Sequence, residues 1–281
     1  MNITFLGGGN MATALIGGLA GRADAAGASA APPSITVIDP SAAQRERLVR
    51  EFGVTALAAA DPRVPVGDVL VLAVKPQQMR EALLPVAASA RDALVVSVAA
   101  GIRAADIARW LDGHRRVIRT MPNTPALIGA GITGLWAADT VGSADRALAE
   151  RIVRAVGDAV WVGEEILLDA VTAVSGSGPA YVFAFMEAVQ AAGARLGLDE
   201  ASAARLTLAT FRGAAALAAG ATVPLATLRE QVTSKGGTTA AALAHLQASA
   251  VGARIDEAVE AAFRRAGELA DEFGRDPSAH G

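Results

Sequence analysis

Five short apolar runs, NITFL, SITVID, DVLVLAV, ALVVSVA and RRVIRTM, alternate with helical stretches over the first 121 residues. Each run is continuously apolar rather than alternating, as strands covered on both faces should be. Between them, SAAQRERLVREF offers Ser41 as an N-cap and an apolar face at Leu48, Val49 and Phe52. PQQMREALLPVAASA begins with Pro76 near its first turn, where proline is tolerated. Repeated strand–helix units imply an α/β fold built on a parallel, doubly wound sheet. AGITGLWA and DAVWVG extend that sheet around the helix SADRALAERIVRAV.

Strand signals stop after Gly163, and the boundary is read at Gly163–Glu164. Residues 1–163 form the α/β domain, 164–275 an all-helical domain, and 276–281 (DPSAHG) a disordered tail. AGRADAAGASAAPPS reads as a flexible surface loop. The helical segments are EEILLDAVTAVS, GPAYVFAFMEAVQAAGARLG, DEASAARLTLATFRGAAALAAG, TTAAALAHLQ and RIDEAVEAAFRRAGELADEF. Several are apolar around most of their circumference, more than a small domain can hide alone. Burial against a second copy is the simplest remedy, so a homo-oligomer built through the C-terminal half is expected.

The charge balance excludes some classes. Net charge is −3 with no basic block, which argues against a nucleic-acid partner. Absence of cysteine rules out disulfides, thiolate zinc sites and cysteine nucleophiles, and the three histidines (His114, His245, His280) are scattered, so no metal site is expected. The N-terminal MNITFLGGGNMATALIGGLAG is apolar but lacks a basic leader and is broken by glycines, unlike a signal peptide. A bilayer span needs about 20 apolar residues, and the longest uncharged stretch, AVTAVSGSGPAYVFAFM, contains Gly-Ser-Gly-Pro. A cytoplasmic protein without membrane association is expected.

The first strand runs into Gly7-Gly8-Gly9-Asn10-Met11-Ala12 and then a helix, the G-x-G-x-x-A form of the dinucleotide fingerprint. Gly7 would allow the tight turn, Gly9 the approach of a pyrophosphate, and Ala12 close helix–strand packing. The phosphates would lie at a positive helix end with free N–H groups. Asp39 ends the second strand, where an acidic residue holds the ribose, about 30 residues past the glycines rather than the usual ~20. It favours NAD by repelling a 2′-phosphate, whereas Arg45 and Arg47 just downstream favour NADP. Asp39-Pro40-Ser41 also reads as a plain turn and cap.

VLAVKPQ, RTMPNTPALIGAGITGL, DAVTAVSGSGPAYVFAFMEA and QVTSKGGTTAAAL follow the glycine loop in that order. Together they resemble the pyrroline-5-carboxylate reductase family, over roughly residues 3–273, with SGSGPAY and TSxGGTT the specific segments. The resemblance implies a Rossmann domain followed by a helical dimerisation and substrate domain, with dimers often assembling into decamers. It implies active sites between a cofactor domain and helices, the partner subunit contributing. It places Gly7, Gly9, Asn10 and Met11 on the cofactor, NADPH with NADH as the alternative. Lys75 and Pro76, with Asn123 and Thr124, would lie toward its nicotinamide, and Ser234, Gly237, Thr238 and Thr239 would hold the substrate. Two departures stand out: Lys235 replaces the family's usual proline, and an asparagine common near the adenosine is missing at Ala60-Asp61.

The implied substrate is a cyclic imine carrying a carboxylate. Such an imine can arrive already protonated, so the protein need not supply a strong acid. It must hold the ring within about 3.5 Å of the hydride donor and neutralise the carboxylate without an acidic neighbour. Gly236 and Gly237 would bring N–H groups to the start of a helix, and Ser234, Thr238 and Thr239 would add hydroxyl donors. Thr239 is the candidate for the bond to the ring nitrogen. An ordinary Ser/Thr N-cap is the bland alternative. In Ser175-Gly176-Ser177-Gly178-Pro179, Pro179 suits the first turn of the next helix, and either Ser177 caps that helix or the glycines give room to the cofactor ring. Tyr181, Phe183 and Phe185 read as core or interface, and His245 as packing.

Two other readings stay open. A β-hydroxyacid dehydrogenase would need a basic lysine on a central helix, yet the C-terminal half has only Lys235, in a loop. A non-catalytic NADP-sensing protein would bind nucleotide without turnover.

Overall fold

The computed structural model describes residues 1–25, 32–61 and 65–274. Most of the alanine-rich loop and the 276–281 tail lie outside the described residues. The chain divides into two compact units, Met1–Ser177 with Ala262–Gly281, and Gly178–Ala261.

The first unit holds an eight-stranded sheet in the order β3-β2-β1-β4-β5-β6-β7-β8. Its strands are β1 (Asn2–Leu6), β2 (Ser34–Ile38), β3 (Thr55–Leu57), β4 (Val69–Leu72), β5 (Leu94–Ser97), β6 (Val117–Met121), β7 (Gly131–Ala137) and β8 (Gly157–Trp161). Its helices are α1 (Asn10–Ala25), α2 (Ala42–Phe52), α3 (Met79–Leu83), α4 (Ala104–Trp110), α5 (Ser143–Val153) and α6 (Leu167–Val171). The apolar runs alternate in space as strand geometry requires. Val69 and Val71 face one hydrophobic cluster with Leu15, Ile16 and Leu48, while Leu70 and Leu72 face another with Met79, Leu83 and Ile107. Both faces are thus covered, which explains why the strands lack polar alternation.

Three local expectations need correction. The sheet is not wholly parallel: β7 runs antiparallel to β6. The nine residues joining them form only a short 3-10 turn, Thr124–Ile128, and a parallel return needs a crossover of a dozen or more residues. The three-residue edge strand β3 escaped sequence reading because VTAL is too short to show a period. On α2, Ser41 caps Gln44 N–H and Leu48 is fully buried as expected, but Val49 is 45% exposed.

The spatial division also falls later than Gly163–Glu164. Helix α6 packs on β6 and β7, and its Asp169 is forked by Arg103 at 2.6 and 3.2 Å. These bonds keep 164–177 with the sheet.

The second unit contains α7 (Gly178–Arg195), α8 (Glu200–Gly220), α9 (Leu225–Gln231), α10 (Thr238–Ala248) and the first part of α11 (Val251–Gly274). Asp199 caps α8 by accepting Ser202 N–H at 2.9 Å, and α7 and α8 pack together. In the single chain Leu196, Leu217 and Leu225 are largely exposed, as is Phe183. His245, read as a packing residue, is also exposed. Among the described residues no helix is long and apolar enough to cross a membrane.

Candidate active site

The carboxyl ends of β1, β2, β4 and β6 carry the cofactor-side residues read from the sequence, along the edge where doubly wound sheets bind ligands. Gly7 leaves β1 with φ +97°, and its N–H bonds the Ile38 carbonyl at 2.8 Å. A Cβ there would meet the Ala73 carbonyl oxygen at 2.7 Å, so the tight turn admits only glycine. Gly9 is different: a Cβ would meet nothing within 4 Å. The space above it is open and lies beside the start of α1. The first bond of α1 runs from Thr13 N–H to Gly9 O at 2.9 Å, so the N–H groups of Asn10, Met11 and Ala12 have no helical partner. Ala12 is fully buried against the sheet. An open concavity, unspent N–H groups and a positive helix end suit a pyrophosphate.

Asp39 plays a part that its position alone does not reveal. Its Oδ2 accepts the Gly8 N–H at 2.7 Å and its Oδ1 the Ser41 N–H at 2.8 Å. The carboxylate therefore braces the glycine loop as well as ending β2. Arg45 donates to the Asp39 and Pro40 carbonyls at 2.8 and 2.9 Å, which holds its guanidinium at the end of β2. Arg47 instead turns inward to Thr13 Oγ1 at 2.8 Å.

Sequence reading missed Gln44, whose Nε2 donates to the Gly8 carbonyl and, at 3.4 Å, to Thr13 Oγ1. The available signal was its place one helical turn before Leu48, on the α2 face that meets α1. A cleft of about 370 Å³ adjoins the loop, lined by Leu6, Ile38, Pro40, Ala59, Ala60 and Val74 among others. Its largely apolar walls suit a flat base.

Lys75 leaves β4 extended and exposed, and Pro76 opens a 3-10 turn. Asn123 is 9% exposed, and its Oδ1 accepts Ile132 N–H at 3.0 Å. It thus fixes the β6–β7 connection, leaving Thr124 exposed beside it. Helix α6 continues into a π-helical turn, Thr172–Gly176. Ser177 follows in helical conformation (φ −83°, ψ −22°), with its N–H on Thr172 O at 2.8 Å. This overturns the reading of Ser177 as an N-cap, since a cap residue leaves the helical region. A Cβ on Gly176 would lie 2.6 Å from Met121 Cε, so this glycine packs against the end of β6.

The substrate-side candidates Ser234, Gly236, Gly237, Thr238 and Thr239 gather in the second unit, at the start of α10. Gly236 sits at φ +70° and lets the chain turn into the helix. The N-cap is Gly237, extended at φ −80° and ψ 176°, with no side-chain cap bond. A Cβ there would collide with Ser234 Oγ. Neither Ser234 nor Thr238 caps the helix, so the bland alternative is not what the chain adopts. The first intrahelical bond is Ala241 N–H to Gly237 O at 3.2 Å. The N–H groups of Thr238, Thr239 and Ala240 stay unspent, flanked by three hydroxyls.

A family profile described as pyrroline-5-carboxylate reductase dimerisation matches residues 165–269, and one described as NADP oxidoreductase, coenzyme F420-dependent, matches 2–101. The pyrroline-5-carboxylate reductase of Pseudomonas aeruginosa is 45% identical over 276 residues, 97% of this chain and 98% of that protein. The structure of a pyrroline-5-carboxylate reductase from Coxiella burnetii superposes with a TM-score of 0.87 at 39% identity, covering 95% of this chain and 98% of that one. The NADP-bound pyrroline carboxylate reductase of Plasmodium falciparum gives 0.79 at 25% identity, covering 95% and 100%. With near-complete coverage at such identity, and with both halves of the fold accounted for, this chain belongs to the pyrroline-5-carboxylate reductase family.

Proposed function

We propose that this chain reduces 1-pyrroline-5-carboxylate to L-proline with NADPH, the final step of proline biosynthesis. The observation that carries the site assignment is the start of α10, where glycine caps the helix and no side chain consumes its first N–H groups. The bound dinucleotide supplies a hydride to the protonated C=N carbon. Gly7, Gly9 and the first turn of α1 hold its phosphates, with Asn10, Met11 and Ala12 offering N–H groups. Lys75, Pro76, Asn123 and Thr124 bound its nicotinamide end.

At the α10 tip, the N–H groups of Thr238 and Thr239 and the Ser234 hydroxyl take the substrate carboxylate, where the helix dipole favours an anion. Gly236 and Gly237 keep that approach clear. Among residues 234–239 no side chain is acidic, so none there repels the substrate carboxylate. As the ring nitrogen loses its positive charge and gains a lone pair, the Thr239 hydroxyl donates a hydrogen bond to it. That interaction grows toward the transition state and so speeds the chemical step. Ser177 contributes to the substrate pocket.

The dimerisation profile supports self-association through the helical half, and we assign a further assembly of dimers into a decamer, in the cytoplasm. Light scattering on the purified chain checks the assembly, with ten times the chain mass expected. Adding synthetic pyrroline-5-carboxylate and following NADPH absorbance tests the activity. Tight NADPH binding without turnover would instead identify a nucleotide sensor, and oxidation of β-hydroxyacids a dehydrogenase.

A further inference from the structure

Strand β6 carries two inward contacts, two residues apart and therefore on the same face. At Arg119, which is 3% exposed, Nη1 donates to Glu165 Oε1 at 2.9 Å. The same oxygen accepts the Ala104 N–H at 2.7 Å, at the start of α4. Arg103, just before α4, forks Asp169, which is 2% exposed. Glu165 and Asp169 lie one turn apart, immediately before the π-helical turn. At Met121, the thioether end is the atom that a Cβ on Gly176 would strike, at the far end of that turn.

We propose that Arg119 is a positioning residue for the reduction: with Glu165, and beside the Arg103–Asp169 pair, it fixes the turn Thr172–Gly176 against Met121 and so sets Ser177 relative to Asn123 and Thr124. The inference rests on the imine-reductase reading given above. A π-helical turn carries one residue more than an α-helical turn and is rare except where its surroundings hold it. The four charged side chains supply such a hold, from three different elements. Their value is directional rather than stabilising, because burying two ions costs about as much as their attraction returns. Burial pulls the Arg119 guanidinium below its ordinary pKa despite Glu165, and its Nε–H finds no partner among the described residues. An apolar pair of the same volume would pack at least as well but would let α6 slide along β6.

The test uses the full chain carrying Arg119→Met, Arg119→Lys, or Arg119→Met with Glu165→Leu. Melting temperature, NADPH affinity, kcat and imine KM are measured well below the lowest Tm, together with hydrogen exchange at the Ser175–Ser177 amides. Arg119→Met should lower kcat by about tenfold or more, the scale of a small misplacement of reacting groups, with NADPH affinity held within about twofold. The double variant should recover the Tm and not the kcat, and its Ser175–Ser177 amides should exchange faster. Arg119→Lys should recover part of kcat by keeping a donor to Glu165. A double variant with wild-type kcat, or with unchanged exchange at these amides, overturns this inference alone, as does an activity loss that merely follows Tm. A wild-type chain that binds NADPH without reducing the imine overturns the functional reading and this inference with it.

Discussion

The Oδ2 atom of Asp39 accepts the Gly8 N–H at 2.7 Å, tying the end of β2 to the middle of the glycine loop. One carboxylate thereby combines a brace with a negative charge at the end of β2, where the proposed cofactor's ribose would lie. Replacing Asp39 with Ser removes both. Loss of the brace should raise KM for both dinucleotides, while loss of the charge should raise the NADPH/NADH ratio of kcat/KM by up to about tenfold, or ~1.4 kcal/mol. Steady-state kinetics with each cofactor check this, and an unchanged ratio would leave Asp39 with the brace alone.

Gly7 and Gly9 stand two residues apart and should fail differently. Alanine at 7 would push a methyl into the Ala73 carbonyl at φ +97°, a backbone conflict. It should cost about 1–3 kcal/mol of stability. Alanine at 9 meets open space and should leave Tm within about 2 °C, since surface changes of this kind stay within ~0.5 kcal/mol. It should nonetheless weaken NADPH binding about tenfold or more, by filling the place of the phosphates. Thermal melts and cofactor titrations on the two variants distinguish a strained loop from an obstructed one.

Thr239→Val keeps the shape of the side chain and deletes its hydroxyl. Imine kcat/KM should fall about a hundredfold, the scale for one lost transition-state donor. NADPH affinity should be unaffected, because α1 and the glycine loop are untouched. Near-normal turnover would remove Thr239 from the chemistry while leaving the carboxylate site at the α10 tip in place.

Acid sensitivity should have a local source at Asp145. Arg116 forks its carboxylate at 2.7 and 2.8 Å, and these bonds hold the Asp145 pKa below 3.8. A depressed carboxylate pKa contributes stability above the unfolded value of 3.8, lost as pH falls through the lower folded value. Arg116 is 42% exposed, so solvent screening limits the pair to about 1 kcal/mol or less. Asp145→Asn should therefore melt lower than wild type at pH 7, and the gap should close as the pH drops below 3.8. A gap independent of pH would mean that packing, not charge, accounts for the loss.

Much of this molecule is legible in its sequence because period and punctuation act locally. The continuously apolar runs located β1, β2, β4, β5 and β6, and glycine spacing located the tight turn between β1 and α1. What stayed hidden depends on geometry that neither period nor a short motif announces. The reversal of β7 follows from a connection too short for a crossover, and Ser177 escapes its capping role because a π-helical turn carries α6 onward. Gln44 has no motif at all, and only the meeting of α2 with α1 brings its amide to the Gly8 carbonyl. The helix starts of α1 and α10 were legible because their glycines announce free N–H groups, and the roles proposed for the residues there rest on that geometry.

Helix α11 begins in the second unit and ends in the first, where Leu269 and Phe273 lie over Gly101. The first unit is therefore built from two separate stretches of polypeptide, with the second unit inserted between them. A fragment cut after Ser177 would leave Gly101 and the Ile102 side of the sheet bare, and would tend to precipitate. Anyone transplanting the helical module onto another nucleotide-binding scaffold must insert it as a loop, with both ends sewn in.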